Sequence, residues 1–194
     1  MQNEIKVRLI NSLEERLGIH LQPKQLEFIF SDASVTTLTA PRKYGKDTIT
    51  AIKIALAILE NEEYRIGVVL PSRMSCQIFF DKLQEIFNAM LPGFIASARK
   101  NPFRIEAING SNVFIFHDGD SMRGHRLHEA YILEFYHLRD FSDIYNTLTV
   151  SLLWNVEYKM NMIGTPGVNN NRQIEEILRG ESGCNHLRVG IYNR

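Results

Sequence analysis

The stretch that most constrains this chain runs Thr37-Leu38-Thr39-Ala40-Pro41-Arg42-Lys43-Tyr44-Gly45-Lys46-Asp47-Thr48. Ahead of it the β-branched run from Val35 to Thr39 reads as a strand, and behind it Ile49 to Leu59 has helical apolar spacing. Gly45 and Lys46 therefore fall at a helix N-terminus, where free backbone N–H groups and the positive end of the helix dipole favour a polyphosphate. The corresponding pattern is G-x-x-x-x-G-K-[ST], in which the lysine meets the β/γ-phosphates and the hydroxyl faces Mg²⁺. Two positions depart from it. Ala40 stands at the first glycine, and Asp47 follows the lysine, with a hydroxyl one step later at Thr48. Taken alone this is a weak signal, and a basic surface turn capped by Asp47 explains it more often than a phosphate site does.

The length of 194 residues suits one full α/β core, so residues 1–194 are expected to form a single domain. Twenty-two basic and twenty-two acidic side chains cancel, which removes any bulk electrostatic case for nucleic acid and leaves only local patches. Cys76 and Cys184 lack C-x-x-C spacing, as expected of free thiols in a reducing compartment rather than a disulfide framework or zinc site. No apolar run approaches the ~20 residues of a membrane span, and the start Met1 to Glu4 is unlike a signal peptide, so a soluble intracellular protein is expected.

Along the chain, Ile5, Leu9, Ile10, Leu13 and Leu17 predict an amphipathic helix over 4–17 with Gly18 as its C-cap, and Pro23 predicts the start of a second helix reaching Phe30. Arg65 to Leu70 reads as a buried strand closed by Pro71-Ser72, and Met74 to Met90 as a long helix with Ile78, Phe79, Leu83, Ile86 and Phe87 inward. Alternating strand and helix implies a largely parallel sheet flanked by helices. Phe103 to Ile108 and Asn112 to Phe116, joined through Asn109-Gly110, predict an antiparallel hairpin insert. Ala130 to Leu133 and Tyr158 to Ile163 read as further strands, with a helix over 140–153 between them. Gly167 to Asn171 reads as a loop, 172–178 as a helix and 186–191 as a last strand.

A phosphate loop needs a partner strand ending in acid, and Ala130-Tyr131-Ile132-Leu133-Glu134 places Glu134 at the carboxyl end of a buried strand, where ligands of open α/β sheets bind. The aspartate usual before that glutamate is Leu133. Five pieces in order now resemble the ATPase domain of the large terminase subunit of tailed phages, a P-loop NTPase: Leu21-Gln22-Pro23-Lys24-Gln25; Pro41 to Lys46; Leu70-Pro71-Ser72; Met122-Arg123-Gly124 followed by the strand ending in Glu134; and Ile163-Gly164-Thr165-Pro166. They span residues 21 to 166.

The resemblance implies an ATP-hydrolysing motor that drives double-stranded DNA into a capsid, with ATP and Mg²⁺ as cofactors. Residues 1–30 would be a helical segment carrying the adenine-reading Gln25. Arg42, Lys43, Tyr44, Gly45, Lys46, Asp47 and Thr48 would form the nucleotide loop, Glu134 would activate water, and Thr165 would sense γ-phosphate. Arg123 would be an arginine finger acting across a subunit boundary, with a surface salt bridge as the plain alternative. The implied partners are the portal and procapsid, the small terminase subunit and further copies in a ring, in the cytoplasm of an infected host; alone, the domain could be a monomer. The clustered acidic residues of the family's nuclease domain do not occur in the chain.

Asp47 and Leu133 pose one question, because both concern the metal. Asp47 could supply the carboxylate that Leu133 cannot; Thr48 could replace the hydroxyl in a shifted register; or the site could bind nucleotide and hydrolyse it poorly. A helicase-like nucleic-acid-dependent ATPase and a catalytically weak assembly module are the alternative functions. Arg99, Lys100, Arg104, Arg123 and Arg126 are candidate DNA contacts, whereas His125 and His128 lack a third ligand in sequence for a metal.

Overall fold

The computed structural model describes residues 2–117, 119–166, 174, 176 and 184–188. Two helices come first, α1 (Gln2–Leu17) and α2 (Pro23–Phe30). They are followed by β1 (Val35–Thr39), α3 (Lys46–Glu60), β2 (Arg65–Val69), α4 (Arg73–Met90), β3 (Ile95–Lys100), β4 (Phe103–Ala107) and β5 (Asn112–Phe116). Then come β6 (Glu129–Leu133), α5 (Phe141–Leu152), β7 (Lys159–Gly164) and β8 (Cys184–Arg188). The strands make one sheet in the order β3-β4-β5-β2-β6-β7-β1-β8. From β5 to β8 every pair is parallel, and only β4 runs against its neighbours.

Helices α1 to α4 cover one face, through a core that includes Leu13, Phe28, Ile52, Phe79 and Phe87 against Leu38, Leu133 and Ile163. Helix α5 covers the other, where Phe141, Ile144, Leu148 and Leu152 meet Ile132, Met160 and Met162. Central strands buried on both faces explain why β6 reads as a continuous apolar run and not as an alternation. The fold is a P-loop NTPase architecture, a largely parallel sheet between helical layers.

Three sequence expectations change. Ile78 is 59 % exposed, because α4 buries Cys76, Phe79, Phe80, Leu83, Ile86, Phe87 and Met90, a stripe that Ile78 faces away from at 100° per residue. Ile5 is likewise 52 % exposed, while Ile10 and Leu13 of the same helix are buried. The expected antiparallel hairpin forms from β4 and β5, and β5 pairs in parallel with β2, so the hairpin continues the main sheet. A third strand, β3, extends it; this edge strand buries no residue fully and so lacks the apolar alternation that reveals a strand. The loop expected over 167–171, most of the helix over 172–178 and the last three residues of the strand over 186–191 lie outside the described residues. Ile174 and Glu176 are helical. Among the described residues no helix is long and apolar enough to cross a membrane.

Candidate functional site

Strand β1 ends at Thr39 and α3 begins at Lys46, so the loop between them turns at the carboxyl edge of the sheet. Gly45 caps α3 with φ 82° and ψ 23°, a left-handed conformation that glycine adopts without the Cβ penalty of other residues. Its carbonyl accepts the first helical bond from Ile49 N at 3.0 Å. Ala40 is fully buried and its N–H donates to Gly164 O at 3.1 Å, which ties the loop to the end of β7. From the other side Gln25 Nε2 donates to Tyr44 O at 2.7 Å, and Gln25 Oε1 accepts from Gln22 N at 2.7 Å. Gln25 thus braces the loop with its amide nitrogen while its amide oxygen caps the start of α2. It also lines a second cavity of ≈ 360 Å³ with His20, Leu21 and Ile49, a cavity that shares Lys43, Gly45 and Thr48 with the main pocket. Tyr44 lines that cavity too, and its buried hydroxyl has no hydrogen-bond partner.

Glu134 follows β6 directly, with φ 51° and ψ 41°. A non-glycine residue in this region costs about 1–2 kcal/mol. The conformation turns the chain into a short 3₁₀ segment over Phe135–His137 and leaves the carboxylate facing the loop. Lys46 Nζ lies 3.5 Å from Glu134 Oε1 and donates to Pro41 O at 3.2 Å. Thr165 donates to the same carboxylate from its N–H at 3.3 Å and from its hydroxyl at 3.4 Å. That approach requires Gly164, where an added Cβ would stand 2.9 Å from ring atoms of Phe135 and Tyr136. Residues from the ends of β1, β6 and β7 therefore converge, as expected at the carboxyl edge of an open sheet.

The pocket they form holds ≈ 480 Å³ and is lined by Arg42, Lys43, Gly45, Lys46, Asp47, Thr48 and Lys82 together with Glu134, His137 and Thr165. Asp47 is exposed at its mouth yet has protein on the pocket side. Lost hydration pushes its carboxyl above the usual range and the Glu134 charge adds to this, while Lys46 and Lys82 act in the opposite sense. A carboxyl raised in this way, next to a second carboxylate and several cations, suits a polyphosphate carrying a divalent cation. Backbone N–H groups at the α3 terminus, Lys46, Arg42 and Lys43 fit the phosphates; the Asp47 carboxylate, the Thr48 hydroxyl and the Glu134 carboxylate are hard oxygen donors of the kind Mg²⁺ takes. Leu133 is 1 % exposed and packs within the core that holds Leu38 and Ile163, so it offers the site nothing.

Arg123 is elsewhere. Its side chain is 63 % exposed and 3.7 Å from Asp143 Oδ1, and it does not line the pocket. The other basic candidates also lie away from it: Arg99 stands opposite Arg104 on β3 and β4, beside Lys100, which pairs with Asp81 at 3.1 Å; Arg104 donates to Asn112 Oδ1 at 2.8 Å, and Arg126 lines a different cavity beside Glu62 and Glu63. His128 accepts from Arg65 N at 3.0 Å and stacks on Tyr64, while His125 packs between Phe114 and Phe116. Sequence reading missed Lys82 and His137, both in the pocket wall. Neither lies in a loop or strand-end motif, and only the packing of α4 and of the 3₁₀ turn brings them there.

No protein-family model and no curated protein sequence matches the chain. Solved structures do. The large terminase ATPase domain of Thermus phage P74-26 aligns with a TM-score of 0.71 at 16 % identity, covering 90 % of this chain and 83 % of that one. The chain has the fold of a large-terminase ATPase domain. The large terminase of a thermophilic bacteriophage, in complex with ADP, aligns at a TM-score of 0.69 and 14 % identity, over 88 % of this chain and 45 % of that one. A DEAD box protein from the hyperthermophile Methanococcus jannaschii aligns at 0.63 and 13 % identity, over 94 % of this chain and 53 % of that one. The same fold is thus shared with a DEAD box protein.

Proposed function

We propose that this chain is an ATP-hydrolysing motor domain that drives translocation of double-stranded viral DNA into a capsid, as a large-terminase ATPase. The observation that carries the reading is the meeting of Lys46 and Thr165 on the Glu134 carboxylate, each within 3.5 Å of it, at the carboxyl ends of three parallel strands. Lys46 takes the β/γ-phosphates; Glu134 accepts a proton from the attacking water; Thr165, bonded to Glu134 and continuous with β7, registers the γ-phosphate. Asp47 and Thr48 hold Mg²⁺, which when bound neutralises charge on the phosphate oxygens. Gln25 and the cavity beside it take the adenine, in keeping with the ADP complex of the thermophilic bacteriophage's terminase. Arg123, outside the pocket of its own chain, completes a neighbour's site in a ring built with the portal, procapsid and small terminase subunit.

The test is ATP turnover of the chain alone, with DNA, and with DNA and empty capsid shells. Expected is Mg²⁺-dependent turnover stimulated by duplex DNA; turnover unchanged in Glu134→Gln would refute the enzymatic reading. A second reading has its own support. The buried Leu133 in the usual metal position favours a nucleotide-binding assembly module that hydrolyses slowly, and it predicts ATP binding with negligible turnover under every condition above.

A further inference from the structure

Lys82 enters the pocket from α4, an element to which neither the loop nor the strand-end motifs assign any part in the chemistry. It lines the same wall as Lys46, Asp47 and Glu134, and its charge acts on the Asp47 carboxyl. Glu85, one turn further along α4, holds its ammonium at 2.6 Å, so a long, flexible side chain is kept in place. The pocket already has a cation on its inner side, the 8 %-exposed Lys46, paired to Glu134. Lys82, with 34 % of its side chain exposed, approaches from a separate element and stays accessible to a bound anion. Arg123 stands beyond the cavity, beside Asp143.

We propose that Lys82 is a γ-phosphate contact supplied within the chain, a second cation beside Lys46 for a nucleoside triphosphate. The proposal rests on the nucleotide reading of the pocket and deepens it. In phosphoryl transfer, charge spreads over the equatorial oxygens of the transferred group, and catalysis consists largely of placing cations against it. Lys46 reaches the phosphates from the loop and Lys82 reaches the terminal one from α4. A contact to the terminal phosphate discriminates ATP from ADP, which lacks that group.

The experiment compares the wild-type 194-residue chain with Lys82→Ala and Lys82→Arg. Binding of ATPγS and of ADP is titrated by calorimetry, and kcat and KM are measured across a protein concentration series. Expected for Lys82→Ala is a loss of ATPγS affinity of about tenfold or more with ADP affinity held within about twofold, and a fall in kcat of about 10²-fold. Lys82→Arg recovers most of both. The Lys82→Ala loss persists at every protein concentration, as a contact made within the chain requires. Equal weakening of ATPγS and ADP in Lys82→Ala, or an unchanged kcat, overturns the contact. A wild-type chain that binds neither nucleotide overturns the nucleotide reading itself, which separates that failure from failure of Lys82 alone.

Discussion

Helix α3 carries a lysine at its start and another midway along, and strand β6 an acid at its start and another just past its end. At the carboxyl edge of the sheet Lys46 meets Glu134; at the amino edge Lys53, two helical turns further along α3, lies under the influence of Glu129 at the start of β6. The two regions use the same residue types and come out differently. Glu129 is 2 % exposed and accepts from Tyr131 Oη at 2.6 Å, Asn161 Nδ2 at 2.8 Å and Tyr64 Oη at 3.4 Å. Lys53 donates to Phe28 O at 3.0 Å, Ile29 O at 3.4 Å and Ser31 O at 2.6 Å, closing the end of α2. Burial first, and then the Glu129 charge, push the Tyr64 and Tyr131 hydroxyls well above their usual range. Every group there is spoken for. At the carboxyl edge the bonds are longer, the backbone of Glu134 is left-handed, and the carboxylate opens onto a pocket. A saturated buried pair holds elements together, whereas an under-saturated pair at a cavity is available to a ligand.

The sharpest test of that contrast is a pair of isosteric or truncating changes at the two acids. Glu134→Gln should lower kcat by about 10²–10³-fold with thermal stability unchanged or slightly raised, as read by steady-state turnover and a melting curve. Glu129→Ala should do the reverse. It removes the carboxylate that most favours a charged Lys53 and strands the Tyr131 and Asn161 donors, so about 3 kcal/mol should be lost. That corresponds to roughly 6–12 °C in Tm for a chain of this size, with turnover per folded molecule preserved. If Glu129→Ala instead removes turnover at full stability, the two edges are not distinct in role.

A smaller effect is expected at Lys53. Lys53→Met leaves three carbonyls at the end of α2 without their donor, which should cost about 1–3 kcal/mol. Burial lowers the Lys53 ammonium to about 8 from the ordinary 10.5. Between those values the unfolded chain retains a proton that the folded chain has released, so this group makes folding more favourable as pH rises through that window. Urea midpoints measured from pH 8 to 10.5 should therefore rise less in Lys53→Met than in the wild type.

The smallest effect belongs to Asp47. Its raised carboxyl binds a proton more tightly in the folded state than in the unfolded one, so its ionisation disfavours folding as pH increases above the ordinary 3.8. Asp47→Asn should raise Tm at neutral pH by about 1 °C, because the group is exposed and its repulsion with Glu134 is screened. The same variant should lose Mg²⁺-dependent turnover. Retention of that dependence with the stability gain would assign the metal to Thr48 or to a different oxygen set.

Much of the fold was legible before any coordinates. The strand, loop and helix from Val35 to Glu60, the two N-terminal helices and strands β2, β4, β5, β6 and β7 follow from local periodicity and from turn residues such as Gly45 and Gly110. Edge strand β3 escaped because exposure on both faces erases the apolar signal, and Ile5 and Ile78 were misplaced because an apolar residue near a stripe need not lie in it. Within the pocket, Arg42, Lys43, Gly45 to Thr48, Glu134 and Thr165 were identifiable as motif residues, and the structure brings them together.

By itself, the amino-acid sequence determined where helices and strands begin and which residues stand at their ends, since those depend on neighbours a few positions away. Tertiary structure decided what the ends face. Pairing β7 between β1 and β6 sets Thr165 against Glu134, although 31 residues separate them in the chain. Packing α4 against α3 brings Lys82 into the pocket wall. The course of the chain between β5 and β6 leaves Arg123 beside Asp143 and away from that wall. These placements arise from long-range strand order and helix packing, which bury apolar faces without regard to the charges at their edges, so no local pattern encodes them.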